Sequence, residues 1–130
     1  MNFTSQICTT KEQSERLLSL GLKAETADMG WVKLLNGDGY AIAIAEDYSF
    51  IDIPAWSLHR LKCLLTDKTP YGDGYLTVEI INENVYIVLV IENVEQRVLK
   101  YTKGNLYDNL ISCINFFVKE SLFNKEYLEE

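Results

Sequence analysis

The sequence has one histidine, His59, and its three cysteines stand far apart at positions 8, 63 and 113. The usual zinc centres need His and Cys at short, fixed spacing, and no such spacing occurs here. An odd number of scattered cysteines is also no disulfide framework. Cys63 and Cys113 fall among apolar helix positions, where a free thiol behaves as a small hydrophobe. That usage points to a reducing compartment, the cytoplasm. The opening Met1-Asn2-Phe3-Thr4-Ser5-Gln6 has neither the basic region nor the apolar run of a signal peptide. No apolar run approaches 18 residues, and the longest, 85–91, has the length of a strand. A phosphate-cradling loop is missing too, because Gly72-x-Gly74 has no third glycine and no helix signal after it. Positive charge is short, with 12 Lys and Arg against 19 Asp and Glu and a net charge of -7. Such a chain repels nucleic-acid backbones and anionic lipid surfaces. Its acidity reads as a device for solubility, with a basic partner protein as the other use. No metal and no cofactor is expected.

Apolar residues make up 48% and charged residues 24%, the composition of a globular domain rather than a disordered chain. A length of 130 residues predicts a single domain over 1–130. Thr9 with Glu12, or Thr10 with Gln13, has the capping-box spacing for a first helix reaching about Leu20, with Gly21 as its stop. Residues 24–29 suit a short helical turn, and 31–35 a short strand. The turn signal Asn36-Gly37-Asp38-Gly39 precedes the alternating run Tyr40-Ala41-Ile42-Ala43-Ile44-Ala45. After Glu46-Asp47, Phe50-Ile51-Asp52-Ile53 reads as its hairpin partner, stopped by Pro54, with Asp52 facing solvent. Ser57 caps a helix to Leu65 whose inner stripe is Leu58, Leu61 and Leu65, and 66–74 reads as a loop. Residues 75–81, 85–91 and 96–101 form a meander, with the uniformly apolar 85–91 in its centre. The clearest helix spans 106–121, with seams Leu106-Leu110-Cys113-Phe117 and Tyr107-Ile111-Ile114-Val118. Asn124 caps a last turn. The predicted fold is α+β: an antiparallel sheet of about five strands, a hairpin plus a three-strand meander, with helices mainly on one face.

Candidate chemistry is sparse. His59 and Cys63, four apart on one helix, are the one local Cys/His pair, without an orienting third group. Asn36-Gly37-Asp38-Gly39 is a tight turn and lacks the oxygen pattern of a calcium loop. Asp28, Glu46, Asp47, Asp52 and Glu79 have no paired spacing that would mark an acid/base couple. The aromatics Trp31, Trp56, Tyr71 and Tyr75 sit at element ends or in loops, where they either close the core or anchor a partner. Trp56 in particular fits a plug at a sheet–helix junction. A binding surface of Trp56, His59 and Arg60, with Tyr71 and Trp31, is the first place to look.

Four stretches together carry a resemblance: Thr9-Thr10-Lys11-Glu12-Gln13-Ser14 with its following leucines, Glu25-Thr26-Ala27-Asp28-Met29, Ile53-Pro54-Ala55-Trp56-Ser57-Leu58-His59-Arg60-Leu61, and Leu106-Tyr107-Asp108 continuing to Asn124-Lys125-Glu126-Tyr127-Leu128. They cover about half the chain, and on them it resembles a group of small uncharacterised proteins of gut anaerobic bacteria associated with phages and other mobile elements. The resemblance implies a context and brings no catalytic residue with it. The expectation is a small soluble accessory protein acting through protein contacts, a monomer or homodimer, without nucleic acid or membrane. Two rivals are an acidic nucleic-acid mimic that inhibits a host defence enzyme, and a small ligand binder or enzyme with a cleft near Asp28, Trp31 or His59.

Overall fold

A computed structural model describes residues 6–35, 37, 39–44, 51–65, 69–91, 95–102 and 105–129. It is an α+β structure whose described strands form two antiparallel sheets. The chain divides into two compact units, 1–60 with 125–130, and 61–124.

In the first unit, helix α1 (Lys11–Ser19) is opened by Thr10, which settles the choice between the two possible caps. The Thr10 Oγ1 accepts from the Gln13 N–H at 3.1 Å, and the Gln13 Oε1 accepts from the Thr10 N–H at 3.0 Å. Two orphan donors of the first turn are thereby satisfied. Gly21 ends the helix at φ 102, a backbone only glycine adopts without strain. A short 3-10 turn (Ala24–Thr26) leads into the sheet, whose order is β2-β1-β3. Its strands are β1 (Met29–Lys33), β2 (Tyr40–Ile44) and β3 (Ile53–Ala55). The closing residues return to this unit: the Lys23 N–H donates to the Tyr127 carbonyl at 2.8 Å, and the Glu129 N–H to the Gly21 carbonyl at 2.6 Å.

This sheet departs from the expected hairpin. Tyr40–Ile44 pairs with Met29–Lys33 and not with the segment around Ile51 to Ile53. The glycine turn decides it. Gly37 (φ 80) and Gly39 (φ 111) let the chain reverse at once, with the Leu34 N–H donating to the Gly39 carbonyl at 2.9 Å. Ile53–Ala55 then takes the other edge of β1. Asp52 is exposed as expected, and its Oδ2 accepts from the Lys33 N–H at 2.6 Å. Glu46 and Asp47 lie outside the described residues.

Helix α2 (Leu58–Leu65) contains the division between the units, which falls after Arg60. The second unit holds a four-stranded sheet of order β4-β5-β6-β7: β4 (Thr69–Tyr71), β5 (Gly74–Ile81), β6 (Asn84–Ile91) and β7 (Glu95–Thr102). The described strands thus number seven in two sheets, where about five in one were expected. The extra strand β4 hides in the sequence behind Pro70 and the Gly72 turn (φ 60). The apolar β6 is central as its composition requires, with Val85, Ile87, Val88, Leu89 and Val90 buried. Helix α3 (Leu106–Lys119) packs on β6 and β7. Its two predicted seams supply buried Tyr107, Leu110, Ile111, Cys113, Ile114 and Phe117. Buried Asn109 is satisfied by donating its Nδ2 to the Glu83 carbonyl at 2.7 Å. Among the described residues no helix is long and apolar enough to cross a membrane.

Candidate functional site

Three residues singled out in the sequence, Trp31, Trp56 and Arg60, meet in the first unit around buried Thr9 and Thr26. Every polar group of Thr9 is engaged. Its N–H donates to the Trp56 carbonyl (2.9 Å), and its Oγ1 accepts from the Trp56 N–H (3.0 Å). The Thr9 hydroxyl is also hydrogen-bonded to the Ser14 hydroxyl (2.7 Å), and the Thr9 carbonyl accepts from the Trp31 indole Nε1 (3.0 Å). Trp56 is fully buried and donates its own indole Nε1 to the Thr26 Oγ1 at 3.0 Å. Trp56 therefore closes the core, the plug that its position after Pro54 suggested, and offers no surface to a partner.

A second cluster continues from Thr26. Asp28 accepts twice from Ser57, at Oδ1 from the backbone N–H (2.9 Å) and at Oδ2 from the hydroxyl (2.5 Å). The Ser57 Oγ accepts from the Arg60 N–H at 3.1 Å and caps α2. The Arg60 Nε donates to the Thr26 carbonyl at 2.6 Å. Beside these groups lies an open cleft of about 720 Å³, lined by Glu25, Thr26, Ala27, Asp28, Met29, Ile44 and Arg60. It gathers two carboxylates, one hydroxyl and one guanidinium. Cys8 is buried, and burial together with the Asp28 charge pushes its thiol up to about 11, so it stays protonated. His59 is exposed and Cys63 half-buried. Among the described residues no group of three His, Cys, Asp or Glu side chains is placed to hold a metal ion.

Of the five candidate contact residues, Trp56, Trp31 and Arg60 converge through Thr9 and Thr26, His59 lies on the exposed first turn of α2, and Tyr71 belongs to the other unit. Sequence reasoning passed over the β1–β2 hairpin. Leu35 is fully exposed at 108%, Ile44 is 53% exposed, and Leu34, Tyr40 and Ile42 are each more than a third exposed. One face of the hairpin forms an apolar groove of about 490 Å³ lined by Val32, Lys33, Leu34, Leu35, Ala41, Ile42 and Ala43. The available signal was two leucines set directly against a glycine turn, where polar residues are the rule. No family model matches the chain, and neither a curated protein nor a solved structure matches it.

Proposed function

We propose that the chain is a small cytoplasmic accessory protein of phage or mobile-element type that works by protein contact, and that its contact face is the β1–β2 hairpin. The observation that carries this reading is the fully exposed Leu35 beside the apolar groove of Val32, Leu34, Ala41 and Ala43. Large apolar side chains grouped at a hairpin end mark an interaction surface more often than isolated ones do. A net charge of -7 favours a basic partner surface at long range, and the groove then takes an apolar anchor from it. The test compares the wild-type chain with Leu35→Asp in affinity capture from host cells. Leu35 touches no core, so the variant keeps its fold. Captured partner should fall roughly tenfold or more in the variant. Equal capture by both forms would remove the hairpin from the interaction.

A second reading rests on the open cleft. Glu25, Asp28 and Arg60 line it with charges of both signs, which suits a small zwitterionic ligand such as a free amino acid. Thermal-shift screening of the wild-type chain against Arg60→Met separates the two readings, since a cleft ligand would stabilise the first and not the second.

A further inference from the structure

We infer that the free edge of β2 pairs with β2 of a second copy of this chain, across a two-fold axis through Ile42. This edge adjoins the groove assigned above to another protein and shares Ile42 with it, and three observations support the pairing.

The first is the direction of the backbone groups. The Leu34 N–H donates to the Gly39 carbonyl, so the even residues of β1 face β2. The odd ones face the other way: the Trp31 carbonyl accepts from the Asp52 N–H, and the Lys33 N–H donates to the Asp52 carboxylate. Val32 and Gly30 oppose Ala41 and Ala43, so these alanines spend their backbone groups on β1. The N–H and C=O groups of Tyr40, Ile42 and Ile44 therefore point to the outer edge, where no described strand pairs with them.

The second is self-complementarity. In an antiparallel pair centred on Ile42, Ile42 meets Ile42 of the second copy, Tyr40 meets Ile44, and Ala41 meets Ala43. Large residues oppose large and small oppose small, and the central pair falls on a hydrogen-bonded position. The three outward residues of each copy supply six ladder bonds in this register. The half-exposed Tyr40, Ile42 and Ile44 side chains are covered on one face. Charge agrees with the register. Tyr40 lies under Lys11 (4.4 Å to the ring) and opposite Lys33, whereas Ile44 borders the cleft of Glu25 and Asp28. Antiparallel pairing sets the basic end of one copy against the acidic end of the other.

The third is what this edge lacks. Exposed strand edges are normally guarded by proline or charge. The edge strands β3 and β4 carry Pro54 and Pro70. The edge strand β2, Tyr-Ala-Ile-Ala-Ile, has neither proline nor charge.

The experiment combines light scattering with site-directed crosslinking. Wild-type protein should elute at twice the monomer mass and dissociate on dilution. Ile42→Lys, which sets two ammonium groups together at the axis, should elute as a folded monomer with native tryptophan emission. In a Cys63→Ser background, Ile42→Cys should form an intermolecular disulfide with oxidised glutathione. The Cα separation of a hydrogen-bonded antiparallel pair, about 5.5 Å, lies inside the disulfide range of about 4.4–6.8 Å. Tyr40→Cys alone and Ile44→Cys alone should not crosslink, but their mixture should. A monomeric wild type, a dimer that survives Ile42→Lys, or self-crosslinking of Tyr40→Cys equal to that of Ile42→Cys would each overturn the proposal. If Ile42→Lys does not fold, the milder cysteine variants decide.

Discussion

Thr9→Val is the sharpest test of how the first unit holds together. Valine keeps the volume and branching of threonine and removes only the hydroxyl. That hydroxyl accepts from the Trp56 N–H and bonds the Ser14 side chain, both in a site without solvent access. Two buried polar groups lose their partner. Each unsatisfied group costs about 1–3 kcal/mol, and with partial relaxation the pair should cost about 2–4 kcal/mol. Thr9→Ser keeps the hydroxyl and loses a methyl, at about 1 kcal/mol. The predicted order of stability is wild type, then serine, then valine. A packing argument based on volume gives the reverse order for the two variants, so the ranking discriminates. Both tryptophans of the chain, Trp31 and Trp56, bond to Thr9 and lie in this unit, so their fluorescence reports on it alone. In urea, at a typical slope of about 1–3 kcal/mol per molar, Thr9→Val should lower the midpoint by roughly 1–2 M. A midpoint equal to that of wild type, or a valine variant more stable than the serine one, would refute the role assigned to the hydroxyl.

Other consequences are open to direct measurement. Ser57→Ala removes both the cap of α2 and a bond to Asp28, and should cost about 1–2 kcal/mol by the same fluorescence assay. Gly74→Ala should cost the second unit about 1–3 kcal/mol, because a Cβ there would overlap the Val90 carbonyl of the paired strand; amide exchange along β6 reads this out. Cys8 and Cys113 are buried and Cys63 half-buried, so mass spectrometry of the folded protein should show Cys63 alkylated first. The Cys8 thiol rises from an ordinary value of 9.0 to about 11 on folding, so above pH 9 the unfolded chain loses this proton before the folded one does. Its contribution to stability is complete below pH 9 and declines towards pH 11, and Cys8→Ala should flatten that decline relative to wild type.

Periodicity made the second unit legible. The apolar 85–91 run, the alternation of 75–81 and the two seams of α3 each allow one arrangement, because burying them otherwise would expose a whole apolar face. Strand partnership in the first unit was not legible in the same way. Residues 40–44 alternate equally well for a partner on either side in sequence, and the choice falls to Gly37 and Gly39, whose positive φ closes the nearer turn. The polar node was hidden for a different reason. Thr9, Thr26, Asp28 and Ser57 look like ordinary surface and cap residues, and only long-range contacts, 22 to 47 residues apart in sequence, bury Thr9 and Thr26 and join all four into one network. The exposed hairpin was missed because Tyr40, Ile42 and Ile44 satisfy a core pattern although they lie at a sheet edge.

The node around Thr9 is scaffold and not contact surface. Thr9, Ser14, Thr26, Asp28, Trp56, Ser57 and Arg60 bond one another around Thr9 and Asp28. Their donors and acceptors are directed at each other. The exposed leucines, the groove and the unguarded β2 edge all lie within 32–44, outside these residues. Scaffold and proposed contact surface are therefore written in separate parts of the sequence. Changing Leu35 or Ile42 should alter what the protein binds and leave its fold intact, whereas changing Thr9 should destabilise the whole unit that carries this surface.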